Sequence, residues 1–231
     1  MVIDGREIRI AVKQAARANR YSLRLPPGGG DPVLTLPVNG RFSEALDFVQ
    51  RHRPWLAERL ARRPEIIAFS DGAVLPIRGV DTKIMHHPIP LRGATRLIEA
   101  PGGPILTVHG ASEHVARRVL DFLRKEARTD LEAAVALHAA RLGVTPSSIR
   151  LKDTRSRWGS CTATGELAFS WRVILAPSFV LDYLAAHEVA HIRELNHSAR
   201  FWRLVKETCP DMERGQSWLK KNGAKLHMFG N

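Results

Sequence analysis

His187, Glu188 and His191 fall in the run His-Glu-Val-Ala-His, set inside SFVLDYLAAHEVAHIREL. The apolar spacing of that stretch predicts a helix over residues 178–195, capped by Ser178 after Pro177. Residues four apart on a helix share a face, so both imidazoles can reach one tetrahedral zinc at about 2.0–2.1 Å. Glu188 then stands beside the metal without being spent as a ligand. A carboxylate there can take a proton from zinc-bound water and deliver it to a leaving group, the division of labour in a metallopeptidase. Two histidines near a glutamate also arise by chance on helix surfaces. This helix is otherwise apolar, and imidazole or carboxylate is costly there without a partner.

A catalytic zinc needs a third protein ligand and one open position. His197 lies six residues beyond His191. Asn196 before it suits the left-handed backbone that ends a helix, and Ser198 after it suits the N-cap of the next, so the chain would turn back and present His197 to the metal. Glu207 or Asp211 would instead supply a carboxylate; the short turn and the suitability of imidazole for zinc favour His197. Glu194 reads as a solvated or supporting group on the helix of the pair. The spacing also equals that of the metzincin signature H-E-x-x-H-x-x-G-x-x-H, but Glu194 occupies the glycine position and Met212 makes no convincing methionine turn.

A second group of residues bears on substrate. In Arg157-Trp158-Gly159-Ser160-Cys161, Gly159 lets backbone approach a bound chain, and Arg157, Trp158 and Arg172 read as substrate-binding. Arg155 is a further guanidinium able to take a carboxylate, a phosphate or an oxyanion. The competing assignment buries Trp158 and Trp171 and pairs the arginines with Asp153 or Asp182. A Cys161 nucleophile would leave the metal motif without a purpose. His86 and His87, adjacent on a strand, face opposite ways and do not share a metal.

Residues 153–202 resemble the YgjP-like family of predicted zinc metallopeptidases, relatives of the SprT and Spartan proteins. The resemblance is carried by the Arg-Trp-Gly-Ser-Cys run, by Trp171-Arg172, by Asn196-His197-Ser198 and by Phe201-Trp202. It extends more weakly over the whole chain and implies His197 as third ligand. Val189-Ala190 stand where Leu-Ala or a similar pair is usual, and either keeps the helix.

The elements that must position these residues follow from pattern. Residues 20–25 and 33–36 read as a strand pair around PPGGGDP, whose Gly28-Gly29-Gly30 run lacks the Gly-Lys-Ser/Thr ending of a phosphate loop. Ser43 is expected to cap a helix to about residue 62, with Leu46, Val49, Trp55, Leu56 and Leu60 on one face and Pro54 as a kink or split. Residues 66–108 read as short antiparallel strands separated by turns such as Asp71-Gly72, Arg78-Gly79 and Arg92-Gly93. Residues 113–142 are free of Gly and Pro and predict a long amphipathic helix, or two in series, ended by Gly143. Strands over 149–152 and 166–175 and helices over 178–195 and 198–208 follow. The fold class is therefore α+β: a zincin-like metallohydrolase domain over residues 111–231, preceded by a β-rich N-terminal domain over residues 1–110.

Composition bounds the rest. The chain has 231 residues, 44% hydrophobic and 25% charged, which excludes disorder as the main state. Cys161 and Cys209 are isolated and are expected to stay reduced. No signal peptide and no run of about 18 uncharged apolar residues is present, so the expected location is cytoplasmic, with no membrane partner. A net charge of +12 attracts acidic partners, nucleotides or nucleic acid, or reflects a solvated basic surface. The expected function is a zinc-dependent hydrolase, first a metallopeptidase acting on peptide or protein. The rivals are a metal-dependent hydrolase of a phosphorylated substrate such as a nucleotide, and a DNA-associated module with structural zinc. No helix-turn-helix or zinc-finger spacing favours the last.

Overall fold

The computed structural model describes residues 1–3, 5–26, 30–61, 66–89 and 95–230. Pro27, Gly28, Gly29 and Arg92-Gly93, on which turns were expected, lie outside the described residues. The chain forms two compact units, Met1–Ile66 and Ile67–Asn231. Among the described residues no helix is long and apolar enough to cross a membrane.

In the first unit β1 (Val2–Ile3) pairs antiparallel with β2 (Arg6–Glu7). A three-stranded sheet places β5 (Val33–Leu36) between β3 (Ala11–Gln14) and β4 (Ser22–Arg24). The β4–β5 pair is antiparallel, as the sequence predicts, and β3 runs parallel to β5. Alternation along β5 turns Leu34 and Leu36 inward onto Ala45 and Val49 of α1 (Phe42–Arg51). The single expected helix is two: α1 stops at His52, whose Nδ1 bonds the Phe48 carbonyl at 2.8 Å, and α2 (Arg53–Ala61) begins with Pro54 in its first turn. That break shifts the helical phase, so Val49 and Leu56 are buried while Leu46 and Trp55 are exposed. The N-cap of α1 is Arg41 without a side-chain bond, not Ser43.

The second unit opens with a four-stranded sheet in the order β6 (Val74–Ile77), β7 (Val80–His87), β9 (Ile105–His109), β8 (Arg96–Ile98). It is not wholly antiparallel. β8 lies at the outer edge, so its hairpin return sets β9 beside β7 in parallel. The two-residue turn between β6 and β7 needs positive φ at both positions, which Arg78 (52°) and Gly79 (79°) adopt. Arg78 is held there by Asp130 and Glu126, both at 2.8 Å, and by its amide on the Ile174 carbonyl at 2.7 Å.

After a 3-10 turn (Ser112–His114), α3 (Val115–Leu142) runs unbroken for 28 residues. It ends at Gly143 in the left-handed conformation, as predicted. Val115, Val119, Leu123, Ala127, Leu131 and Val135 recur every four residues and form its buried stripe. Its first half packs against the β6–β9 sheet, and its second half against a cluster drawn from residues 167–209. Residue 110, where the sequence changes character, therefore falls inside the second unit. Phe69, Leu75, Ile77, Ile84, Leu106 and Val108 share one hydrophobic cluster with Val115, Val119, Leu123 and Ala127.

A second sheet sets β12 (Glu166–Ser170) between β10 (Ser148–Lys152), parallel, and β11 (Gly159–Cys161), antiparallel. The strand expected to continue to residue 175 instead turns into a 3-10 helix, Trp171–Leu175, whose five residues are all buried. Three helices follow: α4 (Ser178–Ala190), α5 (Ala199–Thr208) and α6 (Met212–Leu226).

Candidate metal centre

The helix α4 is apolar nearly all round, so it is a core helix. Pro177 precedes it as N-cap, and its rigid φ leaves Ser178 as the first helical residue rather than the cap. The helix ends at Ala190, earlier than the apolar pattern implied. His191 is the C-cap but keeps helical dihedrals (φ −63°, ψ −20°). Its ring therefore stays over the same face as His187, with centroids 4.9 Å apart.

The chain then reverses without the left-handed Asn196 that the sequence suggests. Among the described residues Arg78 is the non-glycine residue with positive φ. The turn is closed by local bonds instead. The Glu194 amide reaches the Ala190 carbonyl at 3.1 Å, and the Ser198 amide reaches the Asn196 carbonyl at 2.8 Å. Ser198 caps α5 as predicted, its Oγ accepting from the Phe201 amide at 3.2 Å. This reversal returns His197 to α4, and its Nε2 stands 3.1 Å from that of His187.

One nitrogen from each of His187, His191 and His197 lies within 4.8 Å of the other two. Nitrogens around tetrahedral zinc at 2.0–2.1 Å sit about 3.3 Å apart; the His187 and His197 pair, at 3.1 Å, already has that spacing, and the third imidazole lies within reach of the same ion. Neither Glu207 nor Asp211 belongs to the group. The Nδ1 of His191 donates to the Glu194 carbonyl at 3.0 Å, which leaves its Nε2 lone pair free for a metal. Burial, then the neighbouring His191 and His197, push the His187 pKa down to about 3, and burial lowers that of His191. Neutral imidazole is the metal-binding form.

Glu188 is 4% exposed. Burial raises its pKa to about 8, against the opposing field of Arg157. Its carboxylate lies on the bare Cα of Gly159: a Cβ there would overlap the Glu188 Oε1 and come within 2.6 Å of Cγ and Cδ. The β11 strand thus shelves the glutamate that follows His187 on α4. Three aromatic residues that carried no assigned role complete the surround. Tyr183 meets His187 edge-on, its hydroxyl 3.5 Å from Nδ1; Phe201 stacks on His191 at 4.4 Å; Trp202 lies 5.7 Å from both His187 and His197. Their signal was the one-turn spacing from His187 back to Tyr183 and from His197 on to Phe201.

The residues read as substrate-binding separate in space. Arg157 is exposed, lines a cleft with Gly159 and Cys161, and acts on Glu188 through its charge. Trp158 is half-buried, stacked on His227 at 4.9 Å and packed against both hydrophobic clusters. Arg172 is 2% exposed, bonded to Asp153 at 2.7 Å and to the Leu226 and Phe229 carbonyls. Its guanidinium ties the C-terminal end of the chain to the core. Asp182 bonds the fully buried His138 rather than an arginine. Cys161 is a free thiol whose pKa burial, then Glu188, raises to about 11, which keeps it a poor nucleophile. His87 stacks on His109 at 4.9 Å while His86 turns to the Gly110 carbonyl.

Three imidazoles around one ion-sized space, with the buried Glu188 next to His187 in the chain, make a candidate metallohydrolase site. The chain matches the YgjP-like, metallopeptidase domain over residues 19–222 and belongs to that family. The crystal structure of the metallopeptidase zymogen of Pyrococcus abyssi abylysin is similar at 22% identity, over 42% of this chain and 94% of that chain, with a TM-score of 0.37. That of the metallopeptidase zymogen of Methanocaldococcus jannaschii jannalysin is similar at 21% identity, over 39% and 95%, with a TM-score of 0.33. No curated protein matches the chain.

Proposed function

We propose that the protein is a zinc-dependent metallopeptidase in which His187, His191 and His197 hold the metal and Glu188 is the general base and acid. The convergence of the three imidazoles, with the buried Glu188 next to His187 in the chain, carries this reading. When bound, zinc supplies Lewis acidity that polarises a substrate carbonyl and lowers the pKa of water. Glu188 accepts a proton on its carboxylate and returns it to the leaving amine. Gly159 fixes where that carboxylate sits, and the Glu194 carbonyl fixes the His191 ring. Arg157 stands on the exposed side of the same cleft and meets the substrate there.

Glu188→Gln keeps the side-chain volume and removes the base. Elemental analysis should find zinc retained in this variant, while hydrolysis of casein-derived peptides is lost; a fully active variant overturns the mechanism. Nucleoside triphosphates assayed in parallel should remain intact. Their hydrolysis, with peptides untouched, would replace the peptidase reading with that of a phosphohydrolase.

A further inference from the structure

Two concavities of the second unit share one side chain, Lys152. The smaller, about 260 Å³, is walled by Lys152, Thr154, Arg157, Gly159, Ser160 and Cys161. Gly159, on which the Glu188 carboxylate rests, is thus shared between this cleft and the glutamate's surround. The larger, about 530 Å³, is walled by Arg124, Lys125, Arg128, Lys152, Asp153 and Trp171. Arg124 and Arg128 stand one helical turn apart on α3, and Lys152 ends β10. Five cations, Arg157, Lys152, Arg124, Lys125 and Arg128, thus line the two adjoining concavities.

Few acids line these walls. No acidic residue lines the smaller cleft, and neither Lys152 nor Arg157 has an ion pair among the described residues. In the larger one the acid is Asp153. Burial alone would raise its pKa, but the bonded Arg172 guanidinium, with a smaller contribution from Arg124, holds it below the usual value, so its charge is shared chiefly with Arg172. Arg128 pairs with Glu132 at 3.1 Å along an exposed helix face, a contact that solvent weakens.

A polyanion that enters here is selected by side chains rather than by bases. Single-stranded nucleic acid needs exposed aromatic faces on which to stack, and Trp171 is 1% exposed. The smaller cleft suits one carboxylate side chain, with hydroxyls of Thr154 and Ser160 beside two cations. We propose that this basic track selects acidic polypeptide substrates, seating an Asp or Glu side chain between Lys152 and Arg157 next to the scissile bond and a further acidic residue against Arg124, Lys125 and Arg128. The inference rests on the peptidase reading of the adjoining site.

The test uses the zinc-loaded full chain and three fluorescent peptides of one backbone, carrying Glu, Gln or Lys at several adjacent positions. Binding is read on the Glu188→Gln variant by anisotropy, and turnover on the unsubstituted protein. The Glu peptide should bind about tenfold more tightly than the Gln peptide, the scale of one or two charge-assisted contacts. That gap should narrow as salt rises from about 50 to about 300 mM. Lys152→Glu combined with Arg157→Glu should invert the order in favour of the Lys peptide. Equal binding of Glu and Gln peptides overturns the proposal, as does displacement of the Glu peptide by single-stranded DNA of equal charge at lower concentration. Salt-sensitive Glu-peptide binding without cleavage of any peptide instead removes the peptidase reading and leaves the acidic-chain surface standing.

Discussion

Glu188 meets Gly159 across a contact that no helical pattern reveals, because the two residues belong to different elements. A methyl group at Gly159 must displace the carboxylate. Gly159→Ala should therefore lower kcat by about 10²-fold, the cost of a misplacement near 1 Å, while zinc content holds; an unchanged kcat would remove Gly159 from the positioning of Glu188. The burial of Glu188 also has a signature in the metal-free protein. Its folded-state pKa, about 8, lies above the ordinary 4.5, so the stability it contributes is complete below pH 4.5 and is lost as pH rises through about 8. Chelated protein should lose thermal stability across that window, and chelated Glu188→Gln should lose less, as read by unfolding scans at stepped pH.

At the scale of elements, the metal centre depends on how α4 stops and α5 starts. His197 occupies the residue just before the Ser198 cap, so the cap bond limits the freedom of its backbone. Ser198→Ala should cost about 1 kcal/mol of stability and also weaken zinc binding in a competitive chelator titration. Ser198→Asp, which restores a capping oxygen, should recover both. The far end of α5 is fastened separately: fully buried His138 on α3 bonds Thr208 Oγ1 at 2.7 Å and Asp182 of α4 at 3.0 Å. His138 was legible as a member of a long helix but not as a link among three helices, since its partners lie 70 and 44 residues away.

At the scale of the molecule, the β6–β9 sheet and the first half of α3 are one folding problem. Phe69, Leu75, Ile77, Ile84, Leu106 and Val108 are each nearly or fully buried in the cluster they share with α3. Burying such side chains contributes about 1.5–3 kcal/mol apiece, so losing six rivals the roughly 5–15 kcal/mol that hold a domain together. A fragment spanning residues 67–231 should fold with a cooperative thermal transition and bind zinc. A fragment spanning 111–231 should show neither. Cooperative folding of the shorter piece would place the boundary at the change of sequence character near residue 110 instead.

The sequence by itself determined that His187, Glu188 and His191 stand together at the end of one helix, the capping of α5 by Ser198 and the close of α3 at Gly143, because each is a local periodicity or a cap acting over a few residues. It carried the family through short runs such as Arg-Trp-Gly-Ser-Cys and Asn-His-Ser. Tertiary structure decided that β7 and β9 run parallel, that Arg172 is bound to Asp153 and the C-terminal carbonyls, and that Gly159 shelves Glu188. Those outcomes depend on which distant elements share a core. A one-dimensional pattern records that a residue is apolar, charged or small, but not which partner fills the space opposite it.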